Sequence, residues 1–284
     1  MSSKLLMLLS FLSLSLGGYM QIFNDNFENL DNWVAENMTG AQSGNNEWEY
    51  YTTRHVNVHT SKTSYGQALV LHAQKESYQG YNYTSGKVHS KIQWGPYGFF
   101  NIKALVPKGN GLWPAIWMLP TGGVNVYGTW AACGEIDLME TVCTLDPGYS
   151  TLHFGGPWPN NVRYPMEPNN TYPFTVDWTK PHSFGLEWQE TFMTFWFDAS
   201  IVNGIVQGTK IFTIPSSIWY SQNTQGVKYP GNAPFNVPTN IVLNVAVGGF
   251  WPCMIPGCCD NISVPANMYV YNVQIWELSQ EIAS

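Results

Sequence analysis

The chain has 284 residues, of which 11% are charged and 15% aromatic, and its formal net charge is −7 at pH 7. So few charges, against about 25% in ordinary domains, and an acidic balance exclude a nucleic-acid binder, which must neutralise phosphates with Lys and Arg. The aromatic content suits a neutral ligand with C–H faces, as sugars have, although a β-sandwich core also uses many aromatics.

At the start of the chain, Lys4 precedes a short apolar run from Leu5 to Leu16 and then Gly17-Gly18. That is the layout of a secretory signal peptide, and the run is too short to span a bilayer. Residues 1–18 are therefore expected to be removed after Gly17 or Gly18. Residues 19–284 then form one exported domain with no membrane or nucleic-acid partner, expected to be monomeric. No repeat, linker or low-complexity tract divides it. Five cysteines in an oxidising compartment leave at least one unpaired. Cys133 and Cys143 are too far apart to bond across an extended strand. The loop carrying Cys253, Cys258 and Cys259 is expected to hold one bridge or to send one to Cys143. No His stands at metal-like spacing to these cysteines, so no metal is assigned.

Ala68 to Ala73 reads as a strand. In the stretch from Pro107 to Pro120, Trp113 and Trp117 lie four apart on a strand and share a face. The segment Gly134 to Glu140 follows, with three carboxylates, Glu135, Asp137 and Glu140, in six residues. Successive strand side chains point to opposite faces, so Glu135 and Asp137 share a face while Glu140 has the wrong parity. One extra residue in a β-bulge near Leu138–Met139 returns Glu140 to that face. Like charges so close cannot all ionise cheaply, and an acid beside a base is what glycoside hydrolysis requires. The two Glu Cα atoms are then roughly 13 Å apart. A curved strand brings the carboxyls to about 5–5.5 Å, the separation of a retaining enzyme. The alternatives are a polar strand face or calcium ligands. Calcium loops usually break the strand with Gly and supply carbonyls, whereas this run is apolar between its acids.

Ser150 to Gly156 contains His153 and resembles a known strand that adjoins the acid-bearing one; Pro157 to Pro173 is a Pro- and Asn-rich loop that could rim a cleft. His182 to Asp198 is a hairpin turning at Gln189–Thr191. Its Glu187 lacks a partner acid and is read as structural. Pro215 to Pro238 holds a turn or short helix, Ile241 to Gly249 is a strand around Asn244, and Met268 to Leu278 is the last strand. Glycosylation sequons occur at Asn37, Asn82, Asn169 and Asn261. Strands dominate, so the expected fold is all-β: a β-sandwich jelly roll of two curved antiparallel sheets with an open substrate cleft.

Glu135-Ile136-Asp137-Leu138-Met139-Glu140 resembles the signature of glycoside hydrolase family 16 in its laminarinase-like form, with an extra residue before the last Glu. Asn45 to Tyr51, Tyr83 to Lys87, Pro107 to Pro120 and Gly248 to Pro252 resemble the same family, so the likeness runs from about residue 20 to 278. It implies a secreted, endo-acting, retaining hydrolase of β-1,3-glucan, with Glu135 as nucleophile, Glu140 as acid/base and Asp137 assisting. It implies a substrate cleft containing Asn46, Trp113, Trp117, Trp130, His153 and Trp251, with Trp113 stacking on sugar and Trp117 partly structural. Lys87 stands where Arg is usual and cannot make its bidentate contacts, which argues against a substrate role. Phe99, Asn101 and Lys103 replace the usual Arg, Glu and Arg, which bears on the binding subsites. Tyr271 replaces an Asp that helps to hold a structural calcium, so calcium near Glu28 lacks support and no cofactor is expected. The alternatives are a non-catalytic β-glucan-binding recognition protein and a related hydrolase or transglycosylase on another β-linked polysaccharide.

Overall fold

Alternation of apolar and polar side chains sorts seven strands into one sheet with two unlike faces. In chain order these are β1 (Trp33–Ala35), β2 (Lys87–Ser90), β3 (Leu112–Leu119), β4 (Glu135–Glu140), β5 (Tyr149–Gly155), β6 (Asn161–Tyr164) and β7 (Asn240–Val247). The computed structural model describes residues 18–144, 147–166, 169 and 171–279, so the expected signal peptide, apart from Gly18, lies outside the described residues. Across the sheet the order is β6-β5-β4-β3-β7-β2-β1, and every pairing is antiparallel. The acid-bearing strand β4 therefore has two strands on one side and four on the other.

One face of this sheet is apolar. Ile116, Met118, Ile136, Leu152, Phe154, Leu243 and Val245 are all buried in the main core. They pack against a second, eleven-stranded sheet that supplies Leu69, Leu71, Phe100, Ile102, Phe184, Leu186, Trp188 and Val273. The fold is thus the expected β-sandwich. The hairpin His182–Trp188/Phe192–Val202 and the terminal strand Ala266–Leu278 belong to this second sheet. One pairing in it is parallel, between Glu49–Tyr51 and Tyr81–Ser85. Phe99 and Asn101 also lie here: Phe99 is buried with Tyr19, Ala199 and Trp276, and Asn101 Nδ2 donates to the Ala199 carbonyl at 2.9 Å. Their replacement of charged residues therefore falls on the sheet opposite the cleft and leaves the cleft's subsites untouched.

A five-residue helix, α1 (Phe250–Met254), follows β7 and carries Trp251. Two disulfides hold its surroundings, Cys143–Cys258 and Cys253–Cys259, while Cys133 is free and buried. Both alternatives left open for the cysteines are thus realised together. The Cys143–Cys258 bridge joins the end of β4 to the segment after α1 across a sequence separation of 115. No described helix is long and apolar enough to cross a membrane. Closing so long a loop restricts the unfolded chain, so replacing Cys143 and Cys258 together by Ser is expected to lower stability by about 2–4 kcal/mol in urea titrations.

Candidate active site

The chemistry of β4 begins with its register. Opposite β3, Asp137 pairs with Trp117 but Met139 pairs with Ile116, and opposite β5, Asp137 pairs with Thr151 and Glu140 with Tyr149. One residue is therefore extra on β4 against both neighbours, and the bulge falls at Leu138–Met139. Both of these side chains turn into the core. Glu140 returns to the face of Glu135 and Asp137, and all three acids line one cleft of about 930 Å³. Just before the strand, Gly134 has φ +79, and a Cβ there would meet Phe235 Cε1 and Pro234 Cγ at 2.9 Å. Only glycine fits this approach, which aims the first acid outward.

Each glutamate is held by its own indole. Trp130 Nε1 donates to Glu135 Oε2 at 3.0 Å, and Trp113 Nε1 donates to Glu140 Oε1 at 2.8 Å. His153 on β5 brings Nε2 to 3.4 Å from Asp137 Oδ2 and 3.8 Å from Glu135 Oε1. Burial pushes all three carboxyls up to about 8. For Glu135 and Glu140 the Asp137 charge adds to the rise, while the indole bonds oppose it. The cluster thus shares protons at neutral pH that exposed carboxyls would have lost, and as a coupled set it keeps one member protonated while another is ionised.

The flanks of the cleft are built from neighbouring strands. Trp113, Ala115, Trp117 and Leu119 alternate outward along β3, and Val242, Asn244 and Ala246 do so along β7. Trp117 Nε1 donates to Asn244 Oδ1 at 2.8 Å, so the indole is fixed at the cleft floor. Trp251 on α1 meets Trp113 edge-to-face at 5.3 Å and Tyr149 at 5.1 Å. Five of the six expected cleft residues, Trp113, Trp117, Trp130, His153 and Trp251, therefore line the cleft with the acids. Asn46 does not. It has a left-handed backbone, with φ 54, and lines a separate hollow with Trp48, Tyr81 and Tyr83, while Asn45 lines the cleft.

Other cleft residues escaped the sequence reading. Lys87 was set aside for lacking Arg's fork, yet it is buried in the cleft with Nζ 5.1 Å from the Trp117 ring and 3.1 Å from Ser43 Oγ. A point charge can occupy this site through its stem and the aromatic faces, without bidentate geometry. Glu47 also lines the cleft. Trp158 and Arg163 come from the Pro- and Asn-rich loop and β6; Trp158 is 72% exposed and stands 6.3 Å from Trp130. Only that loop's composition hinted at them.

Residues 45–241 match the family model "Glycosyl hydrolases family 16". The chain belongs to that family. It is 34% identical over 245 residues to "Glucan endo-1,3-beta-glucosidase A1" of Niallia circulans, covering 82% of this chain and 33% of that protein. It therefore spans about a third of that relative's length. A "Glucan endo-1,3-beta-glucosidase" of Cryptopygus antarcticus is 31% identical over 256 residues, covering 86% of each chain. The solved laminarinase of Rhodothermus marinus superposes with a TM-score of 0.71 at 25% identity, covering 93% of this chain and all of that one.

Buried acids so close together can carry protons or hold a metal ion. Among the described residues, Glu135, Asp137 and His153 place ligand atoms within 4.8 Å of one another. A cation there would occupy Glu135, the carboxyl nearest Trp130.

Stability should reveal the burial of the acids. A carboxyl whose folded value is raised to about 8 stabilises the fold fully only below its unfolded value, and the contribution is lost as pH rises through the folded value. Asp137→Asn removes that loss. It should stabilise the protein by about 1–3 kcal/mol at pH 7, with the gain vanishing below about pH 4, as read from thermal unfolding at both pH values.

Proposed function

We propose that the chain is a secreted, endo-acting β-1,3-glucanase that hydrolyses its substrate with retention of anomeric configuration. The observation that carries this is the pair Glu135 and Glu140 on one strand face, each anchored by a separate indole N–H, with Asp137 between them. Names borne by the family 16 relatives supply the polymer. Two disulfides, a leader-like start and sequon asparagines that are exposed (Asn37, Asn82, Asn169 and Asn261) support export and glycosylation.

In the first step Glu140, protonated, gives its proton to the glycosidic oxygen while a Glu135 oxygen attacks the anomeric carbon. The C–O bond to the leaving chain breaks, and a glycosyl ester on Glu135 forms. Water then attacks the same carbon. Glu140 takes its proton as base, and Glu135 leaves as carboxylate, restoring the starting state. Asp137, beside His153, adjusts the charge on Glu135 through the cycle. Trp130 Nε1–H stabilises the Glu135 carboxylate before attack and after departure. The indole faces of Trp113, Trp117 and Trp158 suit a neutral glucan lying over them.

Reducing-sugar release from laminarin, against lichenan, agarose and carrageenan, is the direct assay, with the initial product anomer followed by NMR. Laminarin cleavage to the β-anomer is expected. Glu135→Gln and Glu140→Gln should each lose about 10³-fold or more in kcat while unfolding normally. Binding without turnover by the wild type would overturn the reading in favour of a recognition protein, and cleavage of another polymer would move the substrate. Dialysis against EDTA is expected to leave the rate unchanged; a loss restored by a divalent ion would give the acid cluster to a metal.

The alkaline limb of the rate profile should lie near pH 8, where Glu140 gives up its proton. Asp137's negative charge raises that value, so Asp137→Asn should move the alkaline limb to lower pH. A limb that stays fixed, or moves upward, would separate Asp137 from the acid/base.

A further inference from the structure

Beyond the acids, the cleft floor is tied to a buried carboxyl pair by a hydrogen-bond chain that the catalytic steps do not use. Trp117 Nε1 donates to Asn244 Oδ1 at 2.8 Å, Asn244 Nδ2 donates to Tyr51 Oη at 3.1 Å, and Tyr51 Oη donates to Glu47 Oε2 at 3.0 Å. The direction of this chain is forced. An indole nitrogen can only donate, so it must meet the amide oxygen of Asn244. The amide nitrogen then faces Tyr51, whose oxygen must accept and whose proton must pass on to an acceptor. Glu47 is that acceptor. We propose that Glu47 is a positioning residue for sugar binding, ending a one-way relay through Tyr51 and Asn244 that fixes the Trp117 indole and the seat of Lys87.

The surroundings of Glu47 fit this role. Its neighbour Glu49 is wholly buried, accepts from the Val247 amide at 2.7 Å, and keeps Oε1 buried with no hydrogen-bond partner. The two carboxyls interact directly, and complete burial followed by the Glu47 charge raises Glu49 well above the usual range. Burial raises Glu47 as well, and the Tyr51 hydroxyl at 3.0 Å leaves Glu47 Oε2 as the accepting oxygen of the pair. Gly40 seals the pair: a Cβ there would meet Glu49 Oε1 at 2.5 Å and Glu47 Cβ at 2.8 Å. On the cleft side, Lys87 Nζ lies 5.1 Å from the Trp117 ring and 5.5 Å from the Tyr51 ring, with Ser43 Oγ at 3.1 Å. The two rings that flank the ammonium are thus two members of the relay. Losing the relay frees the indole and unseats the cation together, on the part of the floor that lies between β4 and β2.

The proposal rests on the cleft being a glucan site, and a double-mutant cycle tests it. Tyr51→Phe deletes one oxygen and Trp117→Phe deletes the donor. One lost hydrogen bond corresponds to about a five- to tenfold rise in KM for laminarin, with kcat within about twofold. The double variant should be no worse than Trp117→Phe alone, because the relay then has nothing to hold. Glu47→Met, which lacks an acceptor, should raise KM as Tyr51→Phe does, and Glu47→Gln, which keeps one, should recover most of it. Multiplicative effects in the cycle, or Glu47→Met with an unchanged KM, would overturn the proposal. A readout free of substrate accompanies these: the indole N–H resonance assigned to Trp117 should move in Tyr51→Phe and Glu47→Met and stay near its place in Glu47→Gln. If the wild type cuts none of the four polymers, the glucanase reading fails, and that resonance alone decides the relay.

Discussion

The site depends on one irregularity in one strand, the bulge at Leu138–Met139. A regular strand through Glu135 and Asp137 would drive Glu140 into the apolar face, which Ile116, Met139 and Leu138 share with the main core. An unpaired carboxyl there would cost several kcal/mol. With the bulge, two consecutive apolar residues turn inward and the third acid turns out. The bulge thus satisfies packing on one face and chemistry on the other. Neither requirement can be met in this sequence without it.

Placing three carboxyls on one side of a sandwich still costs free energy, and the surrounding sheet limits that cost in specific ways. The indoles of Trp130 and Trp113 each give one N–H to a carboxyl from a rigid, largely apolar body, stabilising the charged form without adding a mobile charge. Trp113 is itself held at its edge by Trp251, which α1 and the Cys143–Cys258 bridge keep against the end of β4. The disulfide therefore does more than restrict the unfolded chain. It fixes a wall of the cleft to the strand that carries the acids.

The fold and the acid cluster were legible because their signals are local. Parity along a strand, a run of apolar residues between acids, and Trp113 and Trp117 four apart all survive folding unchanged. The hairpin from His182 and the strand around Asn244 were legible for the same reason. What escaped depends on backbone direction or on distant partners. Asn45 and Asn46 are adjacent and chemically alike, and nothing in the sequence separates the one that lines the cleft from the one that lines a neighbouring hollow. Lys87 looked unfit beside the Arg expected there, because its value comes from Trp117 and Tyr51, rings brought from other strands. Phe99 and Asn101 seemed to bear on substrate binding, and sheet order alone places them on the opposite layer.

The charge economy of the chain follows from the same geometry. Charged residues are 11% of the sequence, yet Glu36, Glu47, Lys87, Glu135, Asp137, Glu140 and Arg163 all reach one cleft. Their signs are not scattered at random along it. The three central acids stand on β4, Arg163 lies two strands away on one side, and Lys87 three strands away on the other. Beyond Lys87, His89 closes that end on Glu36, with Nδ1 at 2.5 Å from Oε1, and holds the Glu36 carboxyl below its usual range. Each flank of the acidic centre thus carries one cation, Arg163 on β6 and Lys87 on β2. The groove crosses the whole sheet, and its buried, proton-holding carboxyls are confined to the middle strand.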